Sequence, residues 1–416
     1  MTGHPQSAAL PRQQNPDKLL PKVTLLLGSM LTVLSGAILA PALPAIEAHF
    51  ALEVDDSAFW SRLVMTIPAL FIVIGSPLVG YTVDRIGRKG VLIVATLLYG
   101  VAGVAGYFAM SLPLLLITRA VLGLAVAGVM TSVTTLISDY YVGQARSRFI
   151  GLQTAFMGIS GTVLMSLGGF MAESNWRTPF LVYLFAFVLV PLIVFALYEP
   201  PRSARTASFT ADPAHAEKAP VRLMLFIFSA MALLQVVFNL VPVQFAFYMR
   251  ELTGATASQS GMAIGGMSLA FSLLSAFSGW IGARFARMTL ITAGFLLTGM
   301  GYAVLGEASG WGLVAVGMVM SGIGFGLVIP ALNVWMANEA PPMLRGRILS
   351  GLTTSVFLGQ FISPIMSQPL AEAYGMGATY AMAGALLVCI GLVFFVARGQ
   401  IQRWQTTRQA AVTINA

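Results

Sequence analysis

Residues 59–110 read FWSRLVMTIPALFIVIGSPLVGYTVDRIGRKGVLIVATLLYGVAGVAGYFAM. Two apolar runs, Phe59–Val83 and Gly90–Met110, flank a charged knot, Asp84-Arg85-Ile86-Gly87-Arg88-Lys89. Each run holds the roughly 20 mostly apolar residues that a helix needs to cross a hydrocarbon core. Both are continuously apolar rather than alternating, which excludes a transmembrane barrel. A helical hairpin with its basic turn among the headgroups fits the stretch, and the pattern recurs along the chain.

Working outward gives twelve such runs. The first half holds Val23–Ile46, Phe59–Val83, Gly90–Met110, Leu112–Ile137, Phe149–Ala172 and Pro179–Tyr198. The second holds Arg222–Tyr248, Thr256–Ala283, Met288–Leu305, Trp311–Ala337, Leu349–Ala371 and Met376–Ala397. The fold class is therefore an all-α membrane protein with twelve transmembrane helices in two six-helix halves. Composition agrees: 57% of residues are hydrophobic and 9% charged, and mean hydropathy is +0.84. Such a chain could not cover a soluble globule with polar surface, so a soluble enzyme, a disordered protein and a disulfide scaffold are excluded. Cys389 is the sole cysteine, and His4, His49 and His215 lie far apart, so neither a disulfide nor a metal cluster is expected.

The location of the charge sets the orientation. Of the 23 Lys and Arg, all but Arg62, Arg119, Arg177 and Arg250 fall in the termini or the even-numbered junctions. The odd-numbered loops carry acids, among them Glu47, Glu53, Asp55, Asp56, Glu173, Glu251, Glu307 and Glu372. The positive-inside rule places both termini in the cytoplasm. The net charge of +8 is then a topology signal, and no nucleic-acid partner is expected. The expected partners are the lipid bilayer and a small-molecule substrate, and the chain is expected to be a monomer.

Five segments follow. Residues 1–20 form a polar cytoplasmic tail, 21–198 the first bundle, 199–221 a Pro- and Ser-rich cytoplasmic linker, 222–398 the second bundle and 399–416 a cytoplasmic tail. The bundles are an internal repeat. An offset of 199 residues carries Gly80, Arg85 and Arg88 onto Gly279, Arg284 and Arg287, Gly123 onto Gly322, and Arg146 and Arg148 onto Arg345 and Arg347. Two parallel repeats suggest a transporter whose site lies between the halves near mid-bilayer. The competing reading is a duplication that only builds a membrane scaffold.

The motifs carry a resemblance. Gly80-Tyr-Thr-Val-Asp84-Arg85-Ile-Gly87-Arg88-Lys89 resembles the cytoplasmic signature of the major facilitator superfamily. Leu115-Leu-Ile-Thr-Arg119-Ala-Val-Leu-Gly123 resembles that family's fourth-helix motif. Pro41-Ala-Leu-Pro44-Ala-Ile46 and Trp176-Arg177-Thr-Pro-Phe180 are similar to its drug:proton antiporter branch. The resemblance covers roughly residues 20–400. It implies alternating access in a bacterial inner membrane, export of a drug or an amphipathic metabolite such as a siderophore, no catalytic residues and no cofactor beyond a proton gradient. Two departures stand out. Helix five has Leu164-Met165-Ser166-Leu167-Gly168-Gly169 where the branch commonly shows Gly-Pro-x-x-Gly-Gly, and the second loop copy has Ala283 and Ala286 in place of Asp84 and Gly87.

In the loop itself, Gly80 and Gly87 permit tight packing and a sharp turn. Asp84 and Arg88 stand four apart and pair if that turn is helical; Asp139 is a second partner. The resemblance implies that Gly80, Asp84, Arg85, Gly87, Arg88 and Asp139 form a cytoplasmic latch. The alternative is a headgroup anchor alone.

Polar residues inside the bilayer mark function by default. Arg119, two turns into helix four, has three readings: it binds an anionic substrate group, it holds amides and carbonyls as a structural post, or it pairs with a loop acid. Thr134 continues its face. Arg62 is placed near the outer end of helix two, snorkelling. No acid lies deep in a span, so coupling uses Glu47, Asp84 or Asp139, or is absent. Gln235 and Asn239 share a face of helix seven, with Asn333 on helix ten and Gln360 on helix eleven. The family lines its cavity with helices one, four, seven and ten, which implies a substrate set of Arg119, Thr134, Gln235, Asn239 and Asn333. Gln360 reads as interhelical glue. Two alternatives to export stay open: a facilitator or symporter for an organic anion using Arg119, and a receptor that kept a transporter fold.

Overall fold

Hydrocarbon offers no water to backbone amides, so each apolar run closes its hydrogen bonds on itself as a helix. The structure, a computed structural model, describes residues 18–200, 221–341 and 344–414. The expected N-terminal tail and most of the expected linker lie outside the described residues, as do the side chains of Arg222, Arg345 and Arg347. The first half contains α1 (Leu19–Ala37), α2 (Leu43–Phe50), α3 (Ser57–Ile86), α4 (Arg88–Ala105), α5 (Leu112–Tyr140), α6 (Gly143–Ser174) and α7 (Phe185–Ala196). The second contains α8 (Val221–Thr253), α9 (Ala257–Ala276), α10 (Ser278–Arg284), α11 (Arg287–Gly306), α12 (Trp311–Glu339), α13 (Arg345–Tyr374) and α14 (Met376–Ile414). Among the described residues eleven spans are long and apolar enough to cross a membrane, and α9 with α10, bent by 52°, makes a twelfth.

Local chemistry explains where the runs break. The first span, continuous in hydropathy, ends α1 at Ala37, passes through a 3₁₀ turn at Ala40–Ala42 and restarts as α2. Pro41 and Pro44 are the second residues of those two elements, within the first turn, where a missing N–H costs nothing. The α3–α4 turn is not helical. Gly87 takes φ +113°, and a Cβ there would lie 2.8 Å from the Glu199 carboxylate. Helix α14 continues through Ile414, past the boundary that composition places at 398.

The seam between halves is built from α3 against α13 and α6 against α9. The second span of each half thus packs on the fifth of the other, the arrangement two parallel repeats require. Buried tyrosines repeat the pattern. In the first half Tyr99 and Tyr183 donate to the carbonyls of Leu31 (2.7 Å) and Ser35 (3.2 Å) on α1. In the second, Tyr302 and Tyr380 donate to Val237 (2.6 Å) and Leu240 (3.3 Å) on α8. Each pair is also in ring contact, at 5.5 and 5.7 Å between centroids. A buried phenol needs an acceptor, and here each one ties an outer span to the first span of its half.

The glycine-rich stretches act as close-approach sites rather than turns. A Cβ on Gly168 would lie 2.1 Å from the Ile38 carbonyl oxygen, and one on Gly169 2.5 Å from that of Ala257. Gly322, Gly324 and Gly326 likewise face α9 and α11 backbone or side chains at under 3 Å. Small residues let helices meet at backbone distance.

Candidate substrate cavity and its two ends

A cavity of about 410 Å³ lies on the seam, lined by α1, α3 and α6 from one half and α8, α9 and α13 from the other. That volume suits a small organic ligand. Its wall is apolar, with Met65, Met157, Met165, Phe238, Phe271 and Phe357, and carries amides at Gln235, Asn239 and Gln360. None of the described lining residues is ionisable. Asn239 turns its Nδ2 onto the Gln235 carbonyl (2.9 Å), and the Gln235 Oε1 is buried without a hydrogen-bond partner.

The expected substrate set is divided by this geometry. Gln235 and Asn239 line the cavity; Arg119, Thr134 and Asn333 do not. Thr134 and Asn333 are exposed, and Asn333 donates to its own helix at Ile329 (3.0 Å). The described wall of this cavity comes from spans one, two, five, seven, eight and eleven, because the cavity follows the seam. Gln360, read as glue, is on the wall.

Arg119 is fully buried beside the end of α4. Its NH2 donates to the carbonyls of Ala102 (3.1 Å) and Gly103 (3.0 Å), and its guanidinium lies 4.9 and 5.1 Å from the rings of Phe180 and Tyr183. Those carbonyls belong to the last turn of α4, the negative end of its dipole. The missing counter-ion is therefore a helix C-terminus. Of the three readings, the structural post matches these contacts, which engage NH2 while NH1 is buried without a hydrogen-bond partner.

At the end of the cavity away from the basic loop, a polar chain crosses the seam. Glu47 on α2 accepts from Arg62 NH1 (2.9 Å). Arg62 Nε donates to Gln244 Oε1 (2.7 Å), on the other half. Gln244 Nε2 donates to Gln368 Oε1 (3.0 Å) and Ser367 Oγ (3.2 Å), and Gln368 Nε2 donates to Glu372 (2.7 Å). The Arg62 guanidinium also sits 3.9 Å from the Phe247 ring, again across the seam. Arg62 is 3% exposed and Gln244 1%. The expected snorkelling arginine is thus a buried cross-half link: once α8 covers α3, a protein acceptor replaces water. Gln244 was not singled out by sequence, where one amide near the end of an apolar run carries no signal.

At the basic-loop end Asp139, the expected second partner, is the one that Arg88 meets. Because Gly87 breaks the helix, Asp84 and Arg88 do not share a helical face. Arg88 Nε instead lies 3.1 Å from Asp139 Oδ2, an ion pair not aligned as a hydrogen bond. Arg85 lies over Tyr81, 4.5 Å from its ring, and Asp84 is exposed. Gly80 faces open space rather than a tight contact. Glu199, the first linker residue, was missed: its carboxylate accepts from the backbone N–H groups of Arg88 (2.8 Å) and Lys89 (2.7 Å). It caps α4 and satisfies donors that a helix start leaves open. Tyr198 stacks on Tyr140 beside it, with centroids 4.4 Å apart.

The Major Facilitator Superfamily sequence profile matches residues 25–249 and 227–413, which is nearly the whole described chain. The chain belongs to the major facilitator superfamily. It is 27% identical over 408 residues to the multidrug resistance protein MdtG of Salmonella typhi and of Salmonella typhimurium (strain LT2), covering 93% of this chain and 95% of theirs. A crystal structure of a D-xylose–proton symporter matches with a TM-score of 0.76 at 17% identity, over 90% of this chain and 96% of that one. The human organic anion transporter MFSD10 (TETRAN) matches with a TM-score of 0.67 at 16% identity, over 91% and 100%. This superfamily member is an integral membrane transporter for a small molecule, similar to multidrug resistance proteins, and not an enzyme.

Proposed function

We propose that this transporter exports a small amphipathic organic molecule from the bacterial cytoplasm by rocking its two halves about the central cavity. The observation that carries the reading is the cavity itself: apolar, on the seam, shared by both halves and sealed toward one end by the Glu47–Arg62–Gln244 chain. With both termini in the cytoplasm, as the basic loops require, that sealed end faces outward. The molecule described here then presents its cavity toward the cytoplasm, the side on which an exporter loads. Transport draws on a proton gradient, it needs no cofactor, and the monomer suffices. Glu47 is assigned the coupling proton. It is the carboxylate bonded to the arginine whose other bond crosses the seam, and it is 27% exposed.

The test is accumulation of ethidium and of N-phenyl-1-naphthylamine, a neutral dye with an N–H donor, in cells stripped of other efflux pumps. Expression lowers accumulation of at least one dye, and a protonophore restores it. Equal accumulation with and without the protein, for both dyes, refutes export of this class.

A further inference from the structure

We propose that the cavity takes an uncharged amphipathic molecule bearing at least one O–H or N–H donor. The proposal rests on the central cavity being the transport site. Two features of the wall support it.

The first is charge. No described lining residue is ionisable. The two arginines closest to being candidates are already engaged, Arg119 on a helix end outside the cavity and Arg62 on Glu47 and Gln244. A charged ligand entering this wall would give up its hydration with no counter-ion in return, the most costly kind of burial. A neutral one gives up little.

The second is the direction of the polar groups. Thr32, Ser35, Thr154 and Ser272 each donate their hydroxyl proton to a carbonyl of their own helix, at Ser29 (2.7 Å), Thr32 (2.8 Å), Ile150 (2.9 Å) and Ser268 (2.7 Å). Asn239 commits its Nδ2 in the same way, to Gln235. With those protons turned inward, these side chains present oxygen lone pairs to the cavity. Gln235 adds an Oε1 that is buried and has no partner. An acceptor in that condition is a standing cost that a ligand donor relieves. Most described polar groups of the wall therefore accept, and the unpartnered Ser275 hydroxyl can turn either lone pair or proton to a ligand, while the methionines and phenylalanines of the wall adapt to varied apolar bodies.

Four probes on one biphenyl scaffold test this: a hydroxyl, its methyl ether, a trimethylammonium and a sulfonate. Affinities are read from ligand-induced thermal shifts of the purified full chain. The hydroxyl probe binds, the ether binds about three- to tenfold more weakly, and both ions bind at least about tenfold more weakly. Gln235→Met abolishes the preference of hydroxyl over ether while the ether's own affinity holds. Binding of either ion as tight as the hydroxyl's, equal affinity for hydroxyl and ether, or no binding of the hydroxyl probe overturns the proposal. A cavity-filling variant, Ala69→Trp or, where that fails to fold, Met157→Trp, separates the two levels. Probes that bind it as well as they bind the wild type remove the central-cavity reading itself. Loss of all binding there, with an ion the preferred ligand of the wild type, removes only the substrate class.

Discussion

Replacing Gln244 with Leu should open the outer end. When the halves part there, the bonds inside each half persist: Arg62 keeps Glu47, and in the wild type Gln244 keeps Gln368. Those terms cancel between the two states. The hydrogen bond that exists only when the end is shut is Arg62 Nε to Gln244 Oε1 at 2.7 Å. A net hydrogen bond to a charged group is worth about 1.5–3 kcal/mol, and every 1.4 kcal/mol is about tenfold. The shut state should lose about 10- to 100-fold in its ratio to the open state. A protein about 1% open would become roughly 10–50% open. The contact of Arg62 with Phe247 survives the substitution and so does not enter the figure. Spin labels at Leu52→Cys and Glu251→Cys, both exposed at that end, in a Cys389→Ser background report the separation by pulsed dipolar spectroscopy. Gln244→Glu supplies the opposite sign, since it turns the same bond into an ion pair and should shut the end further. Distances in Gln244→Leu that coincide with wild type, or a shift of both variants in one direction, would refute the reasoning.

Other residues give separable outcomes. Arg119→Met should lower the midpoint of thermal unfolding, by about 2 kcal/mol for the lost helix-end bonds, with ligand affinity unchanged; a lost ligand response in a protein of normal stability would return Arg119 to the substrate. Gly87→Ala should destabilise by about 1–3 kcal/mol, because it forces φ +113° on a side chain and drives a Cβ into Glu199. Pairing it with Glu199→Ala should give less than the sum in unfolding measurements, since removing the carboxylate relieves half the clash. Glu47→Gln should still bind ligand, yet its export rate in proteoliposomes should no longer respond to an imposed pH gradient.

Much of the fold is written in local sequence. Apolar runs of the right length, basic knots between them and an offset of 199 residues are one-dimensional signals, and the bilayer leaves the chain few ways to answer them. The site is legible only in part. Gln235 and Asn239 are readable because amides four apart on an apolar helix need a reason to be there. Thr134 and Asn333 look alike in sequence, but their place depends on the rotation of α5 and α12 about their axes, which hydropathy does not encode. Arg119 was visible and its partners were not: backbone carbonyls at a helix end have no letter in the sequence. Arg62 and Gln244 are 182 positions apart, and the link between them exists only once two halves have docked.

The charge distribution has a mechanical logic. A charge on the cavity wall would demand a permanent partner and would narrow the ligands admitted. A charge at either end of the seam is alternately buried and hydrated as that end shuts and opens. Arg62 with Glu47 and Gln244 occupies one end; toward the other, Arg88 with Asp139, backed by the Glu199 cap, is an ion pair inside the first half whose arginine stays buried with that end open. Alternating access needs both states populated, so the two ends must be matched to within a few kcal/mol. A change that tightens one end without its opposite traps the protein. Gln244→Glu should therefore slow export even though it strengthens an interaction, and a second substitution that weakens the shut state should restore the rate. Arg62→Lys is the natural choice, because a compact ammonium cannot hold Glu47 and position 244 with the fork geometry of a guanidinium.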